Sequence, residues 1–552
     1  MKQIKQKNYG SALYTLVIVF FFWGFLGASN GIFIPFCKTH FHLTQFESQL
    51  VDSAFYGAYF IGSLILYLIS TGVGYDILNK IGFKNGIVYG LIVSIVGAFC
   101  MIPAVNSGEY VLILGAFFII ALGFSLQQTA ANPFAIALGD PATGAHRLSL
   151  AGGVNSFGTM VGPIIVTLVL FGTVATTHDQ VINASISSIN SLYMILGGVF
   201  LLVAGIFAVA KMPRVTSDEG YEKSGNATKT MLMITGAIIG LITINFLLIP
   251  LEPYLFILNE SLPDFLKSYS TIILLTVAVI SIVGILLSAN KKKKKNSAGW
   301  GAMKYPQLVW GMIAIFVYVG VEVAIQSNMG ALLKTPQFGG FDESQISHFI
   351  SLYWGSLMIG RWTSAITVFN VKKSTKTILT VVVPFLTFGV ILAANWLSGN
   401  KVSDLYIYAI CIVVLIAANF WAQEKPAKLL MILGVLGVLA MTIGLLSTGT
   451  IGLFAFISGG LVCSIMWPCI FALSITGLGK FTSQGSAFLI MMILGGGIIP
   501  PLQGGLADLT DIHSSYIIPV LCFAYLAFFA WKVGHVLKKQ NLHFENTEVT
   551  AH

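Results

Sequence analysis

Apolar runs of about twenty residues recur along the whole chain. A run of that length is what an α-helix needs to cross the hydrocarbon core of a bilayer. The alternation of apolar and polar residues that is typical of a membrane-spanning barrel is absent from the sequence. With 56% hydrophobic and only 9% charged residues in 552 positions, the chain is predicted to be an all-α integral membrane protein.

The apolar runs predict about sixteen spans. They lie at roughly 11–36, 51–70, 86–105, 110–138, 149–173, 190–210, 231–251, 269–289, 305–327, 347–369, 377–397, 404–422, 428–447, 450–475, 484–506 and 515–531. If the N-terminus is cytoplasmic, 25 of the 30 Lys and Arg residues fall in cytoplasmic segments. Because basic residues concentrate in cytoplasmic loops, this asymmetry predicts that both termini are cytoplasmic.

Under this topology, two pairs of spans enter and leave on the same face, and removing both pairs leaves twelve spans. We therefore predict an N-terminal six-helix bundle over 1–210 and a cytoplasmic linker with an inserted transmembrane hairpin over 211–304. A C-terminal six-helix bundle then covers 305–552 and contains a second inserted hairpin at about 377–422.

The two bundles show weak internal similarity. The segment 133–139, Pro-Phe-Ala-Ile-Ala-Leu-Gly, recurs loosely at 468–474 as Pro-Cys-Ile-Phe-Ala-Leu-Ser. The Gly- and Pro-containing segment 158–163 has a counterpart at 495–501. Parallel repeats with Gly and Pro interruptions at matching places predict a solute site where the two halves meet.

Polar side chains interrupt the fourth span, where hydrocarbon should surround the backbone. Two carboxamides, Gln127 and Gln128, are followed by Thr129 and an Asn132-Pro133 step. Polar groups at that depth are costly unless they face other helices or a hydrated cavity. Pro133 also removes one backbone donor and frees a carbonyl. This segment is predicted to line a central path for a neutral, hydroxyl-rich solute.

Further carboxamides lie in other apolar runs. The complete set is Gln127, Gln128, Asn132, Asn155, Gln326, Asn328 and Gln503. Each offers donors and an acceptor, which suits a neutral polyol, although each alone could equally hold two helices together. Aromatic rings could stack on a sugar or anchor span ends at the membrane interface. They are Trp23, Tyr56, Tyr318, Tyr353 and Trp354.

Charged residues within the spans are few. Glu322 is the one acid well inside a run, which favours a proton carrier or an acceptor for sugar hydroxyls over a purely structural ion pair or hydrogen bond. Asp52, at the outer start of the second span, is a second candidate for proton coupling or a solvated helix-start acid. Arg361 lies within a span, roughly 13 Å deeper than Glu322 at 1.5 Å per residue, so a direct ion pair is not expected. For Arg361, a gating role and a structural role both remain open.

Several segments resemble the sugar:proton symporters of the fucose–galactose–glucose group in the major facilitator superfamily. They include Phe22-Trp-Gly-Phe25, Ser53-Ala-Phe-Tyr-Gly-Ala-Tyr-Phe60, Thr129-Ala-Ala-Asn-Pro-Phe134, Asn155-Ser-Phe-Gly158, Tyr318-Val-Gly-Val-Glu322, Ile359-Gly-Arg361 and Gly485-Ser-Ala-Phe488. The resemblance implies a major facilitator fold, here two six-helix bundles plus two inserted hairpins. It also implies import of a neutral hexose, glucose or galactose first, by proton symport and alternating access across a bacterial cytoplasmic (inner) membrane.

The chain departs from this group at the acids associated there with proton coupling. After Asn30, a further candidate for binding the sugar, Gly31 replaces the usual acid, and Gln128 stands where fucose permeases carry Glu. The superfamily's loop motif survives only as Asn79-Lys80-Ile-Gly-Phe-Lys84, which gives Lys80 and Lys84 a gating or structural role. The proton is therefore assigned to Glu322 or Asp52.

Other functions remain open at this point. They are a fucose or N-acetylglucosamine permease, a sugar uniporter, and, in another class, a multi-pass membrane sugar sensor or enzyme. The sequence contains no His-Glu-x-x-His zinc motif and no Gly-x-Ser-x-Gly nucleophile motif, so we expect no enzyme, no cofactor and no metal. The expected partners are the sugar, protons and membrane lipid, with no nucleic acid.

Overall fold

Long helices make up almost all of the described chain. A computed structural model describes residues 10–41, 45–140, 143–172, 187–215, 222–258, 262–341, 343–369 and 371–542, with no strand among them. Within these ranges, the side chains at 28–36, 38–40, 45–50, 52, 53, 245–258, 262–268 and a few other helix positions are outside the description.

The helices of the first 210 residues are α1 Gly10–His40, α2 Gln45–Val73, α3 Ile77–Ile81, α4 Phe83–Ser107, α5 Tyr110–Ala137, α6 Gly144–Phe171 and α7 Ser187–Val209. The next pair is α8 Gly225–Leu258 and α9 Leu262–Lys295. The remaining helices are α10 Pro306–Leu333, α11 Glu343–Ala365, α12 Lys373–Leu397, α13 Ala409–Ala422, α14 Pro426–Leu446, α15 Gly449–Cys463, α16 Met466–Ile475, α17 Thr482–Met491, α18 Gly495–Leu509 and α19 Ile517–Lys539.

The predicted number of spans agrees with the structure. In the described residues, 15 helical segments are long and apolar enough to cross a membrane. They match the predicted spans except for 347–369, which corresponds to α11. Helix α11 has 23 residues and contains several polar side chains, among them His348 and Arg361. Its composition is therefore not apolar enough for it to be counted among the 15 segments. The fold is all-helical, as predicted.

The two halves of the chain use equivalent helix pairings. In the first half, α1 packs against α6, and α4 packs against α5 and α7. In the second half, α10 packs against α18, and α14 packs against α15 and α19. The halves meet where α6 contacts α11 and where α2 contacts α17. The domain boundaries at 210 and 304 stay a prediction.

Glycine allows the closest of these helix pairs to form. A Cβ atom added to Gly158 in α6 would lie 2.2 Å from the carbonyl oxygen of Phe21 in α1. A Cβ atom added to Gly495 in α18 would lie 1.9 Å from the carbonyl oxygen of Phe316 in α10. Small residues at such crossings let two backbones approach closely in a membrane. The two glycine segments that were matched in the sequence thus occupy equivalent crossings in the two halves.

The two additional helix pairs each return to the end of the bundle at which they begin. At the base of α8 and α9, the backbone N–H of Asn226 donates to the carbonyl of Gly299 over 2.8 Å. At the base of α12 and α13, Lys376 forms an ion pair with the carboxylate of Glu424. Helix α9 packs along α18, and α12 packs along α11. Both pairs therefore lie at the periphery of the helices that line the interface between the halves.

Most of the lysines that the structure describes lie at the end of the bundle that carries these two bases, which we call the basic end. There, Lys84 Nζ donates to the carbonyls of Ala208 and Ala210 at 2.9 and 2.8 Å and thereby caps the C-terminus of α7. Lys80 lies 3.9 Å above the ring of Tyr75. Both lysines thus have structural contacts at the basic end, and a gating role for them stays a prediction.

Candidate functional site

Glu322 lies at the centre of a cluster of buried polar groups between α10 and α11. The hydroxyl of Tyr318, one turn earlier in α10, donates to Glu322 Oε1 over 2.7 Å. Arg361 Nη2, in α11, lies 3.4 Å from the same oxygen. The Glu322 and Arg361 side chains are only 13% and 9% exposed. A carboxylate so far removed from water is stable as an ion only when it is paired in this way.

The expectation that Glu322 and Arg361 are too far apart to pair is wrong. The two residues occupy different positions along their helices, but side chains on a helix tilt toward its N-terminus. Helices α10 and α11 are consecutive and run in opposite directions, so the two side chains extend toward each other. An arginine side chain is also long enough to cover much of the remaining distance. The rise per residue alone therefore overestimated the separation.

Arg361 also connects the two halves of the protein. Its Nη1 donates to Ser156 Oγ over 2.7 Å and to the carbonyl of Gly152 over 3.3 Å, both in α6. Its Nε donates over 3.1 Å to the carbonyl of Ser464, at the break between α15 and α16. A break in a helix leaves carbonyls without intrahelical partners, and Arg361 satisfies one of them. The Arg361 guanidinium thus contacts α6 in the first half, and Glu322, Tyr318 and Ser464 in the second.

Two tyrosines fix the position of Glu322. Tyr353, in α11, donates from its hydroxyl to the Glu322 carbonyl over 2.7 Å. Tyr318 and Tyr353 are both fully buried. Their rings therefore cannot stack on a solute in this conformation, and the Tyr318 hydroxyl contacts the carboxylate instead.

Gln128 and Asn155 are half-buried candidate carboxamides in the first half. Gln128 Nε2 donates to the hydroxyl of Tyr59 over 3.0 Å, and Asn155 Nδ2 donates to the carbonyl of Phe20 over 3.0 Å. Asn155 directly precedes Ser156, so it lies next to the contact made by Arg361. These amide groups are held in place by protein atoms while part of each side chain remains accessible.

Three further candidates in the second half and in α2 are half-buried as well. Gln326 lies one helical turn after Glu322, and Trp354 makes an edge contact with Tyr353 at a ring-centroid distance of 5.7 Å. Tyr56, in α2, lies against Gly496, where an added Cβ would be 2.9 Å from the tyrosine ring. These three side chains are partly accessible.

Three predicted binding residues are buried away from any accessible surface. Gln127 is 1% exposed, accepts a hydrogen bond from Trp23 Nε1 and donates to Ser94 Oγ, all within the first half. Asn132 is also 1% exposed. Gln503 is fully buried and lies 3.4 Å from Ser515 Oγ, near the turn between α18 and α19. In this conformation the three side chains lie within helix packing, and their assignment to sugar binding stays a prediction.

Two predicted residues cannot be placed. Asn30 and Asp52 lie in α1 and α2, but their side chains are outside the described part of the structure. Their assignments to sugar binding and to proton coupling stay predictions.

Pro133 in α5 leads to a hydrogen bond between the two halves. Helix α5 continues through Pro133, whose missing N–H leaves the carbonyl of Thr129 without its usual partner. Ser486 Oγ, in α17 of the other half, donates to that carbonyl over 2.7 Å. His146 Nδ1 and Ser364 Oγ, 3.0 Å apart, form another contact between the halves. Like the Arg361 contacts, these lie in the part of the bundle toward the basic end.

Asp76 lies at the basic end, in the turn between α2 and α3. Its carboxylate accepts a hydrogen bond from the backbone N–H of Asn79 over 3.0 Å and caps α3. Burial raises the pKa of Asp76, while hydrogen bonds from Asn79 and Ser483 oppose that rise. A cavity of about 170 Å³ opens beside Asp76, but its lining does not include Glu322 or Arg361. We therefore do not place the solute there.

The described residues contain no group of three His, Cys, Asp or Glu side chains that could hold a metal ion. The residues that the sequence missed are Gly152, Ser156, Ser464, Tyr59 and Ser486. Tyr59, Ser156 and Ser486 lie within segments that matched the symporter group, which was the available signal. The other contacts depend on which helices meet, and the sequence does not contain that information locally.

Comparison with known proteins agrees with this architecture. The family model described as Major Facilitator Superfamily matches residues 15–423. A glucose/galactose transporter of Brucella abortus is 30% identical over 524 residues, covering 95% of this chain and 94% of the relative. The L-fucose-proton symporter of Escherichia coli is 25% identical over 531 residues, covering 93% and 91%.

A solved structure shows the same fold. A crystal structure of FucP, a Major Facilitator Superfamily transporter in the outward conformation, superposes with a TM-score of 0.63 at 23% identity. The match covers 96% of this chain and 99% of that one. With this fold, these relatives and a family model that matches most of its length, the chain is a multi-pass membrane transporter rather than an enzyme, and it belongs to the Major Facilitator Superfamily.

Proposed function

We propose that the protein imports a neutral hexose by proton symport, with the two halves alternately opening the solute site to either side of the membrane. The observation that carries the proposal is the buried Glu322 carboxylate, paired with an arginine that also contacts the opposite half. Intramembrane carboxylates are costly and mark ion or proton pathways. The relatives named as a glucose/galactose transporter and an L-fucose-proton symporter support the same class of solute and coupling ion.

We assign the proton to Glu322, with Asp52 as the second candidate. At 13% exposure, the Glu322 side chain keeps a small contact with solvent through which it can exchange a proton. Tyr318 can donate to the ionised carboxylate and accept from the neutral acid, so it orients both forms. The proton therefore binds the group that pairs with Arg361.

We assign sugar binding to five half-buried side chains. They are Gln128, Asn155, Gln326, Tyr56 and Trp354. The amides offer donors and acceptors to hydroxyl groups, and the rings offer apolar faces to the C–H groups of a pyranose. Glucose and galactose are the first choice, and fucose or N-acetylglucosamine are the alternatives. We place the protein in a bacterial cytoplasmic (inner) membrane, with both termini and the basic end in the cytoplasm.

The proposal is tested by uptake of labelled sugars into proteoliposomes, with a panel of unlabelled competitors. An inward proton gradient should drive glucose or galactose above its external concentration, and sugar addition should make the medium alkaline. A uniporter would equilibrate the sugar without any change in external pH. Equilibration alone, under a maintained proton gradient, would overturn the symport mechanism.

Neighbouring glutamines in α5 test the solute site. We expect Gln128→Ala to raise the KM for sugar by about fivefold to tenfold, because one hydrogen bond to a neutral group contributes about 1 kcal/mol. Gln127→Ala should leave KM unchanged but lower the melting temperature, because it leaves Trp23 and Ser94 without their buried partner. Radiolabelled uptake and thermal unfolding of the purified protein measure the two effects. An unchanged KM for Gln128→Ala would remove this residue from the site.

A further inference from the structure

The base of the inserted pair α8 and α9 lies beside the contact between α2 of the first half and α17 of the second. The hydroxyl of Tyr67, in α2, lies 2.8 Å from the Thr228 hydroxyl in α8. It also donates over 3.3 Å to the carbonyl of Ser224, which directly precedes α8. The Tyr67 ring makes an edge contact with Phe488 in α17, at a ring-centroid distance of 4.8 Å. Tyr67 and Ser224 are buried, so these contacts are shielded from water.

The same base is joined to the second half. The backbone N–H of Ala302, in the segment that follows α9, donates to Gln484 Oε1 in α17 over 2.6 Å. Lys480, just before α17, forms an ion pair with Glu222, just before α8, at 3.6 Å. Helix α9 also packs along α18 and contacts α10. The pair is therefore attached to the second half over much of its length, and Tyr67 connects its base to the first half.

The base is a single packed unit. Lys293, near the end of α9, is buried, and its Nζ donates to the Met303 carbonyl over 3.0 Å. Gly301 has φ +50°, in the left-handed region that glycine favours, and an added Cβ there would lie 2.2 Å from Ser224 Oγ. The start of α8 and the segment after α9 are thus in direct contact. A force on Ser224 is therefore transmitted to the segment that binds α17.

We infer that the inserted pair α8–α9 is a strap that holds the basic end closed and is joined to the first half by the Tyr67 hydroxyl. The inference rests on the proposed alternation of the two halves, but not on the identity of the sugar or the ion. Opening the basic end must separate α2 from α17, because they belong to opposite halves and pack together there. Since α8–α9 stays with the second half, the separation breaks the Tyr67 hydrogen bonds. These bonds therefore favour the closed conformation.

The reporter for opening lies at the other contact between the halves. Ser364, in α11, is buried at the basic end, with its Oγ 3.0 Å from His146 Nδ1 in α6. In Ser364→Cys, a maleimide reagent reaches the thiol when α6 and α11 separate. Loosening confined to the surroundings of Tyr67 would not expose this thiol. The labelling rate is measured by mass spectrometry of the peptide that contains position 364, so the six native cysteines do not interfere.

Tyr67→Phe tests the strap in this Ser364→Cys background, on the purified full-length protein without sugar. The change removes the hydroxyl and keeps the ring against α17. We expect labelling to become about fivefold faster, the change in an opening equilibrium that follows the loss of one hydrogen bond between neutral groups. Tyr525→Phe is the matched control, because the Tyr525 hydroxyl donates to the Trp310 carbonyl within the second half. It should leave the labelling rate unchanged.

Thr228→Val tests the other side of the same contact. Valine has the shape of threonine without the hydroxyl, and the Ser224 carbonyl remains available to Tyr67. We therefore expect labelling to become about twofold to fivefold faster. Thr230→Val is the control in the same helix, because the Thr230 hydroxyl donates to the Asn226 carbonyl within α8. It should have no effect on labelling.

The double variant decides whether the two hydroxyls act as one contact. Tyr67→Phe combined with Thr228→Val should label no faster than Tyr67→Phe alone, because the phenylalanine variant has already lost the contact. If Tyr67→Phe labels no faster than Tyr525→Phe, the inference is overturned. It is overturned as well if the effects of Tyr67→Phe and Thr228→Val multiply, because the two hydroxyls would then act separately.

Sugar uptake distinguishes a failure of the strap from a failure of the proposed function. If the protein accumulates sugar but labelling does not respond to Tyr67→Phe, the strap is refuted and the transport proposal stands. If labelling responds as expected but the protein moves no sugar, the solute assignment fails and the strap stands.

Discussion

Glu322→Gln is expected to abolish uphill accumulation of sugar while sparing counterflow. A proton gradient of one pH unit supplies about 1.4 kcal/mol, enough for a one-proton symporter to concentrate sugar about tenfold. Glutamine has the shape of glutamate but cannot take up and release a proton in this range. The variant should therefore bring the internal sugar concentration only to the external value, whereas exchange of internal for external sugar needs no net proton movement.

The measurement is accumulation of labelled sugar in proteoliposomes under an imposed proton gradient, followed by counterflow in the same preparation. Breaking a buried ion pair by removing one charge costs about 3–5 kcal/mol, so the folded fraction must be determined first. Glu109→Gln is the matched control, because Glu109 is an exposed acid at the start of α5. Normal uphill uptake by folded Glu322→Gln would show that another group carries the proton.

Gly158→Ala is expected to cause a large loss of stability. The added methyl carbon would meet the Phe21 carbonyl oxygen at 2.2 Å, a backbone atom that cannot rotate away. Helix α1 would have to move from α6, with an overpacking cost of at least about 1–3 kcal/mol. The shift would also displace Asn155, whose amide donates to the Phe20 carbonyl of α1. We therefore expect a lower melting temperature together with reduced sugar uptake.

Gly198→Ala is the matched control, because an added Cβ there meets no atom within 4 Å. Gly495→Ala should resemble Gly158→Ala, because its added methyl carbon would lie 1.9 Å from the Phe316 carbonyl oxygen in the other half. Thermal unfolding of the detergent-solubilised proteins compares the three variants. A melting temperature for Gly158→Ala equal to that of Gly198→Ala would contradict the close crossing of α1 and α6.

The number and position of the helices followed from the sequence because apolar length and basic flanks are local properties. The runs predicted the helices, including α11, which is less apolar than the others. The glycine segments at 158 and 495 predicted related halves, and they occupy equivalent helix crossings. The resemblance to sugar:proton symporters predicted the superfamily correctly.

The composition of the candidate site followed only partly from the sequence. Gln127 and Gln128 are adjacent, and successive residues of a helix point about 100° apart, so both cannot face the same surface. Which one is accessible depends on the rotation of α5 against its neighbours, and the structure exposes Gln128. Gln503 is also a carboxamide in an apolar run, but its side chain is buried between packed helices near Ser515.

By itself, the sequence determined that the chain spans a membrane many times, that Glu322 and Arg361 lie within those spans, and that Pro133 frees a carbonyl. The tertiary structure alone decided that Glu322 pairs with Arg361 and that the freed Thr129 carbonyl binds Ser486, 357 residues away. The physical reason is that the bilayer around each helix determines the length and apolar composition of a span. Contacts depend instead on the direction, length and rotation of side chains on helices that meet only after folding.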